Sequence, residues 1–254
     1  MQTSTERESA VHRPWPAPGR NWIMAQTWHD LLFAHWPVPK EVLRTKIPPQ
    51  LDLDLFDGES WLGIVPFRMS GVRVRGTPGV PCLSNFPEMN VRTYVVAGGK
   101  RGVWFFSLDA ANAIAVAVAR RWFHLPYYRA RMSCGERNGW IEYVSERTHR
   151  GAAECNVRAR YRAIGEPFAA KQGTREHFLV ERYCLYAAGS NGRLMRGEIH
   201  HKPWMLQTAE VEWARNSAAE AAGISLPPVE PLLHFSKRQD VVVWPLEEVP
   251  ARVW

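Results

Sequence analysis

From residue 24 onward, the chain alternates short runs of aromatic and β-branched residues with turn-forming residues. Such runs favour extended backbone on a half-buried surface, so the pattern is typical of an all-β sandwich or barrel. Asp57-Gly58 and Gly98-Gly99 separate such runs and have the composition of hairpin turns. The clearest predicted strands span residues 51–56, 61–74, 88–97, 102–108, 140–147, 154–163, 194–200 and 241–244.

Helical signals are few, and three short helices are predicted, over residues 40–46, 112–123 and 216–222. The first ends before Pro48, because proline cannot continue a helix. The second is rich in alanine, has Ile114 and Val118 four residues apart, and has Asp109 where a capping residue could lie. The third ends at Gly223, a common helix stop. Strand is therefore expected to exceed helix.

Residues 1–22 are polar and contain Pro14, Pro16 and Pro18, which predicts a flexible N-terminal arm. No change of composition follows, so residues 23–254 are predicted to form a single domain. No apolar stretch approaches the ~20 residues that span a bilayer, and the N-terminus has no hydrophobic run of the signal-peptide type. We therefore expect a cytoplasmic protein without a membrane partner.

The net charge of +7 raises the question of nucleic-acid binding. Basic residues are interleaved with acidic ones, however, and no run of five or more like charges occurs. Arg158, Arg160 and Arg162 alternate along one predicted strand, which indicates a solvated face. We expect no nucleic-acid partner, and the sequence leaves a homo-oligomer open.

Neither a metal site nor a cofactor motif is visible. The four cysteines are far apart without C-x-x-C spacing and are expected to be reduced thiols. His200 and His201 are adjacent, and adjacent side chains on a strand diverge. The G-x-S-x-G, G-x-G-x-x-G and P-loop patterns are absent. We predict no metal and no cofactor.

Several segments carry a family resemblance. They are WHDLLFAHWPVP (28–39), IPPQLDLDLFDGESWLGIVPFRM (47–69), FPEMNVRTYV (86–95), GVWFFSLDA (102–110), ARRWFHLPYY (119–128), ERYCLY (181–186) and HHKPW (200–204). On these segments the chain resembles the YqjF-like family of the acetoacetate decarboxylase-like superfamily, a family without an assigned reaction. The resemblance implies a mainly β (α+β) fold, in which a twisted antiparallel sheet with a few short helices forms a partly closed barrel or cone around an internal cavity.

The resemblance also implies where the site lies and which chemistry it lacks. In acetoacetate decarboxylase, a helix with arginine leads into a Pro-Lys-Lys strand, whose first lysine forms a Schiff base with the keto acid. The matching positions here look like Arg120 and Arg121, followed by Pro126, Tyr127 and Tyr128. Phenol cannot form an imine, and the six lysines all lie outside this segment. The decarboxylase chemistry is therefore not expected.

The predicted central hairpin places a polar group on one face. With residues 98–101 as the loop, alternation puts Glu88, Asn90, Arg92 and Tyr94 on the same face of their strand. The apolar partner strand indicates a sheet covered on both sides, so this face would border an interior cavity. The assumed register pairs Ala97 with Gly102, Tyr94 with Phe105, Arg92 with Ser107 and Asn90 with Asp109.

Two interpretations of this polar face stay open. In the functional one, Arg92 binds a carboxylate or carbonyl, Asn90 orients it and Glu88 is the catalytic acid–base residue. In the structural one, Arg92 pairs with Asp109 or Glu88, because buried charges persist mainly when paired. The resemblance favours a cavity role for Glu88, since the decarboxylase family has a glutamate there.

The family match adds Arg120, facing the cavity, and one of Tyr127 and Tyr128 as ligand-binding candidates. His35 is a further polar candidate, although a lone histidine among aromatic residues is more often a satisfied core residue. The leading hypothesis is a cavity that binds a small organic acid or ketone, with lysine-independent acid–base chemistry if a reaction occurs. The alternative is a non-catalytic binding or scaffold protein whose barrel core is filled by side chains such as Trp104, Phe106 and Trp122.

Overall fold

The structure of the protein is a computed structural model that describes residues 12–80, 84–189 and 192–250. The strands of these residues are β1 (Met24–Val38), β2 (Asp52–Leu53), β3 (Ser60–Val74), β4 (Phe86–Ala97), β5 (Lys100–Ala110), β6 (Tyr127–Arg137), β7 (Trp140–Arg147), β8 (Asn156–Ala169), β9 (Cys184–Ala188), β10 (Leu194–His200), β11 (Met205–Asn216) and β12 (Leu232–Glu248). The helices are α1 (Lys40–Arg44), α2 (Ala113–Trp122), α3 (Arg175–Val180) and α4 (Ala218–Ala221).

All twelve strands belong to one sheet, in the order β10-β9-β5-β6-β7-β8-β11-β12-β1-β3-β4-β2. Two additional pairings, β5 with β4 and β10 with β12, turn part of this sheet into a ring. Most neighbours are antiparallel, whereas β5 runs parallel to β6 and to β9. The predicted mainly β, partly closed barrel is thus confirmed.

The central hairpin is present, but the predicted register is wrong. The loop is the two residues Gly98 and Gly99, whose φ angles of 56° and 74° suit glycine, so Ala97 pairs with Lys100. A bulge then shifts the pairing, because Phe106 is an extra residue on β5. Val91 therefore pairs with Ser107 and Arg92 with Phe105, which places Arg92 and Ser107 on opposite faces. The alternation along β4 is unaffected, since the extra residue is on its partner.

Other elements were missed or misplaced by the sequence pattern. The long strand β1 has irregular pairing around Asp30, whose φ is 53°, and this breaks the alternation that would mark a strand. Helix α2 is capped by Asn112, which accepts hydrogen bonds from the backbone N–H groups of Ile114 and Ala115 at 3.0 Å. Asp109 is not the cap, because it lies within β5.

The two faces of β1, β3 and β4 carry separate apolar clusters. One cluster contains Leu32, Ala34, Leu62, Ile64, Met89 and Val91. The other contains Leu31, Phe33, Val65, Phe67, Phe86 and Tyr94. Their alternation in the sequence follows the pleat of the strands. The second cluster adjoins the internal cavity described below.

The beginning of the described chain is fixed against the sheet. Residues 12–22 contain neither helix nor strand. The Arg13 side chain is nevertheless buried and forms an ion pair with Glu198 of β10 at 2.9 Å, and the indole of Trp15 donates to the same carboxylate. The predicted flexible arm is therefore wrong for this part, and residues 1–11 lie outside the described ranges. Among the described helices, none has the length and apolar character required to cross a membrane.

Candidate functional site

A cavity of about 340 Å³ lies beside the second apolar cluster. Its wall is formed mainly by β1, β3, β4, β5 and α2, with contributions from the segments around residues 125, 182 and 204. Most of the lining side chains are apolar, and they include Trp28, Phe33, Phe67, Phe105 and Trp204. The polar residues in this wall are few, which is the usual composition of a small-molecule site.

Glu88 and Tyr127 form a hydrogen-bonded pair in the cavity wall. The Tyr127 hydroxyl donates to Oε2 of Glu88 at 2.7 Å, and Glu88 is only 3% exposed. Burial, reinforced by the nearby Asp109, raises the pKa of Glu88 to about 8 against the opposing effect of the Tyr127 hydrogen bond. Burial and the Glu88 charge also raise the pKa of Tyr127 well above its ordinary value. At neutral pH both groups are therefore largely protonated.

Arg92 and Asn90 lie on the same face of β4 and line the same cavity. The guanidinium carbon of Arg92 lies 5.6 Å from the ring centroid of Phe33 and 5.8 Å from that of Tyr94. No carboxylate among the described residues forms an ion pair with Arg92. Nε of Arg92 and Oδ1 of Asn90 are buried and have no hydrogen-bond partner in the described part of the chain. Buried polar atoms with unmet hydrogen-bonding capacity are uncommon in folded proteins, which makes these two atoms noteworthy in the cavity wall.

Gly63 makes room for this arrangement. A Cβ atom at this position would lie 3.1 Å from Cδ2 of His35 and 3.4 Å from Cγ of Arg92. His35 is fully buried, and its Nε2 shares a hydrogen bond with the Tyr94 hydroxyl at 2.6 Å. Burial, together with Arg92, lowers the pKa of His35 well below its ordinary value, so the ring is neutral. His35 is not part of the cavity wall. Its hydrogen bond fixes the position of the Tyr94 hydroxyl.

Arg120 and Tyr128 do not join this group. Arg120 is exposed on the outer side of α2, where its Nη1 donates to the Tyr127 carbonyl at 2.7 Å. The expectation that Arg120 faces the cavity is wrong, because α2 turns Val118 and Ala119 toward the cavity and residue 120 follows about 100° further round. Strand alternation sends Tyr127 inward and Tyr128 outward.

Tyr128 belongs instead to a separate buried ion pair. Arg147 donates to both oxygens of Asp109, at 2.8 and 3.1 Å, and its guanidinium carbon lies 4.2 Å from the centroid of the Tyr128 ring. The Arg147 and Asp109 side chains are 2% and 0% exposed. Asp109 is thus occupied by Arg147, and the expected alternative pairing of Arg92 with Asp109 or Glu88 does not occur.

Arg182 is a lining residue that sequence reasoning missed. It follows α3, donates from Nη1 to the buried Asp54 and from Nε to the Phe178 carbonyl at 2.7 Å, and leaves Nη2 without a partner in the described residues. The segment 181–186 carried part of the family resemblance, but a single arginine after an unrecognised six-residue helix gives no periodic signal. Within the described ranges, the cavity wall therefore contains two guanidinium groups, of Arg92 and Arg182.

None of the six lysines, all of which lie in described residues, is part of the cavity wall. Lys100 pairs with Glu198, and Lys237 with Asp30 at 2.8 Å. No group of three or more histidine, cysteine, aspartate and glutamate side chains in the described ranges could hold a metal ion. Cys134, Cys155 and Cys184 are free thiols, and Cys82 lies outside the described residues.

The family assignment follows from sequence comparison. The profile of DUF2071, an uncharacterized conserved protein, matches residues 25–240. The chain belongs to the DUF2071 family. As a DUF2071 member, it is 46% identical over 231 residues to uncharacterized protein YqjF of Bacillus subtilis strain 168, covering 91% of this chain and 94% of that protein. The resemblance to the YqjF-like family is therefore confirmed.

Solved structures of acetoacetate decarboxylase-like proteins share the fold of this chain. Acetoacetate decarboxylase from Legionella pneumophila superposes with a TM-score of 0.65 at 13% identity, over 98% of this chain and 96% of that one. The enduracididine biosynthesis enzyme MppR complexed with pyruvate gives 0.62 at 10% identity, over 92% and 93%. An acetoacetate decarboxylase-like enzyme from Sphingomonas wittichii RW1 gives 0.61 at 12% identity, over 96% and 100%. At these identities the likeness establishes the fold alone.

Proposed function

We propose that the protein binds a small organic acid or ketone in the internal cavity, with Arg92 holding the carboxylate or carbonyl oxygen. The observation that carries this proposal is the guanidinium of Arg92, which lines the cavity without a carboxylate partner among the described residues. A partly buried cation that lacks an internal anion favours an anionic or strongly polar ligand. The pyruvate held by the structural neighbour MppR supports a ligand of this class.

Asn90 and Arg182 would complete the head-group site. Oδ1 of Asn90 and Nη2 of Arg182 are both buried without partners in the described chain, and both residues line the cavity. Arg92 offers a guanidinium without an internal carboxylate, and Arg182 adds one N–H donor although its charge is matched by Asp54. Oδ1 of Asn90 can accept a hydrogen bond from a hydroxyl group of the ligand or from water. A planar carboxylate can accept parallel hydrogen bonds from a guanidinium, and this geometry orients the ligand as well as binding it.

Glu88 would supply acid–base chemistry if the ligand reacts. Because its pKa is about 8, Glu88 holds a proton at neutral pH that it can donate to a ligand carbonyl oxygen, with Tyr127 fixing its orientation. No lysine contributes to the described cavity wall, which supports a mechanism without a Schiff base. A filled, non-catalytic core is less well supported, since Trp104, Phe106 and Trp122 are not in the cavity wall and Trp122 is 68% exposed.

Calorimetric titration with acetoacetate and pyruvate tests this function. We expect Arg92→Met to weaken binding by about 2–5 kcal/mol, because the ligand charge loses its partner in a desolvated site. The matched control is Arg160→Met, which removes an exposed arginine outside the cavity and should leave binding unchanged. Equal affinities of the wild type and Arg92→Met would contradict the proposal.

Borohydride trapping tests the absence of a Schiff base. After incubation with acetoacetate or pyruvate and reduction, we expect the intact mass of the protein to stay unchanged, because an imine requires an amine in the site. A stable adduct on any of the six lysines would contradict the lysine-independent mechanism.

A further inference from the structure

We propose that the ligand carries an apolar tail of several carbons behind its acid or carbonyl group, and that the tail extends to an aliphatic rim formed by Val74, Ile114 and Val118. The proposal rests on the proposed function, which supplies the head-group site. It adds a ligand class to that function: amphiphilic acids or ketones in place of compact ones.

The cavity wall changes from charged to apolar along β4. The lining residues of this strand are, in order, Arg92, Asn90, Glu88 and Phe86, all on one face. Opposite them on β3 lie Gly63, Val65, Phe67 and Met69. Since each residue of a strand adds about 3.3 Å, the charged end and the apolar end are roughly 20 Å apart. A ligand with a polar head at Arg92 would direct its other end toward Phe86.

The cavity wall includes three partly exposed aliphatic side chains, which form the aliphatic rim. Val74 and Ile114 are 58% and 55% exposed, and Val118 is 36% exposed, although all three line the cavity. The remaining α2 positions in the wall are Ala115 and Ala119, whose small side chains leave space beside the rim. Exposed aliphatic side chains that continue an internal apolar wall are stabilised when an apolar chain covers them.

The cavity volume also favours a ligand larger than a three- or four-carbon acid. A volume of about 340 Å³ corresponds to roughly ten water molecules at ~30 Å³ each. A compact acid bound at Arg92 would leave most of the apolar wall, including Phe67 and Phe86, against water. A tail that replaces this water would gain affinity with each added methylene.

A chain-length series of straight saturated carboxylates with four, eight, twelve and sixteen carbons tests the tail. Concentrations stay below those at which the acids aggregate. Binding is followed by calorimetry and by the total tryptophan fluorescence, to which Trp28 and Trp204 of the cavity wall contribute. We expect the dissociation constant to fall about fourfold per methylene until the tail reaches the aliphatic rim. Ile114→Asn should weaken the sixteen-carbon acid by roughly tenfold and leave the four-carbon acid unchanged.

The matched control is Ile164→Asn, which alters an aliphatic residue on β8 that is 40% exposed and outside the cavity wall. It should leave the whole series unchanged. The proposed apolar tail would be wrong if affinity does not depend on chain length, or if Ile114→Asn weakens the binding of all acids equally. The proposal for the head group would stand in both cases. Failure of every acid in the series to bind would overturn the proposed function itself.

Two other occupants of the aliphatic rim are distinguished by the same variant. If Ile114→Asn changes the sedimentation coefficient, the rim covers a second copy of this chain. If it abolishes binding to phosphatidylcholine vesicles, the rim contacts a lipid surface. Either result would contradict the proposed amphiphilic ligand if Ile114→Asn also leaves the affinity for every acid of the series unchanged.

Discussion

Two arginines of this barrel, both near the central hairpin, are held in opposite ways. Arg147 of β7 donates to both oxygens of Asp109 and covers the Tyr128 ring, so its charge is matched within the protein. Arg92 of β4 faces aromatic rings and a cavity, without an anion among the described residues. Removing one partner of a matched buried pair is costly because it leaves an uncompensated charge, whereas an unmatched charge at a cavity is available to a ligand, as proposed above. The comparison separates the ion-paired end of the hairpin from the face that lines the cavity.

The largest expected effect is on the matched pair. Arg147→Met should lower the free energy of unfolding by about 3–5 kcal/mol, because it leaves the Asp109 carboxylate buried without its partner. Urea denaturation measures the loss. Adding Asp109→Asn should restore part of it, since no uncompensated charge remains. The control Arg160→Met breaks an exposed pair with Glu212 and should cost less than about 1 kcal/mol. Equal losses at the two sites would remove the distinction.

An intermediate effect is expected for Glu88 and depends on pH. The unfolded chain loses this proton near the ordinary pKa of 4.5, whereas the folded protein holds it up to a pKa of about 8. The stability that Glu88 contributes is therefore complete below pH 4.5 and is lost as the pH rises toward 8. Relative to Glu88→Gln, which stays neutral, the wild type should lose on the order of 3 kcal/mol of stability between pH 4.5 and pH 7.

Denaturation curves between pH 4 and pH 9 measure this difference. Glu212→Gln is the control, because hydrogen bonding from Arg160 lowers the pKa of the exposed Glu212 and gives no loss of stability in that window. If the wild type and Glu88→Gln have parallel stability profiles, the carboxyl of Glu88 is ionised in the folded protein and cannot serve as a proton donor at neutral pH.

The smallest expected effect on stability is at Arg92. Arg92→Met should change the free energy of unfolding by less than about 1 kcal/mol, because no carboxylate loses a partner and methionine keeps much of the volume. Urea denaturation of the ligand-free protein is the measurement. A loss as large as that of Arg147→Met would show that Arg92 is a scaffold residue like its counterpart.

The sequence predicted which residues of β4 share the cavity face better than it predicted the strand pairing. Alternation along β4 places Glu88, Asn90 and Arg92 on one face whatever strand lies beside it, since the period of two is a property of the strand itself. The register depended on the loop length and on the bulge at Phe106, and neither can be read from apolar patterning. Their functional roles stay predictions.

Arg120 and Arg182 show the limits of local reasoning in the candidate site. The family resemblance alone predicts that Arg120 faces the cavity. The rotation of α2 instead turns its side chain toward the outside of the barrel. Arg182 reaches the cavity because it binds Asp54, 128 residues earlier in the chain. Such a contact follows from the closure of the barrel and leaves no periodic trace in the sequence. The fold class was predictable from pattern and resemblance, whereas the second guanidinium was not.

The pairing of β1 with β12 has a consequence for synthesis on the ribosome. β1 pairs with β12 from Met24 to His35, although β12 follows about 200 residues later in the chain. At roughly 5–20 residues per second, β12 emerges on the order of 10–40 s after β1. Throughout that interval, the nascent chain presents an unpaired edge of β1, which can pair with other chains. Chaperone binding to the nascent protein should therefore concentrate on β1 and end when β12 is released.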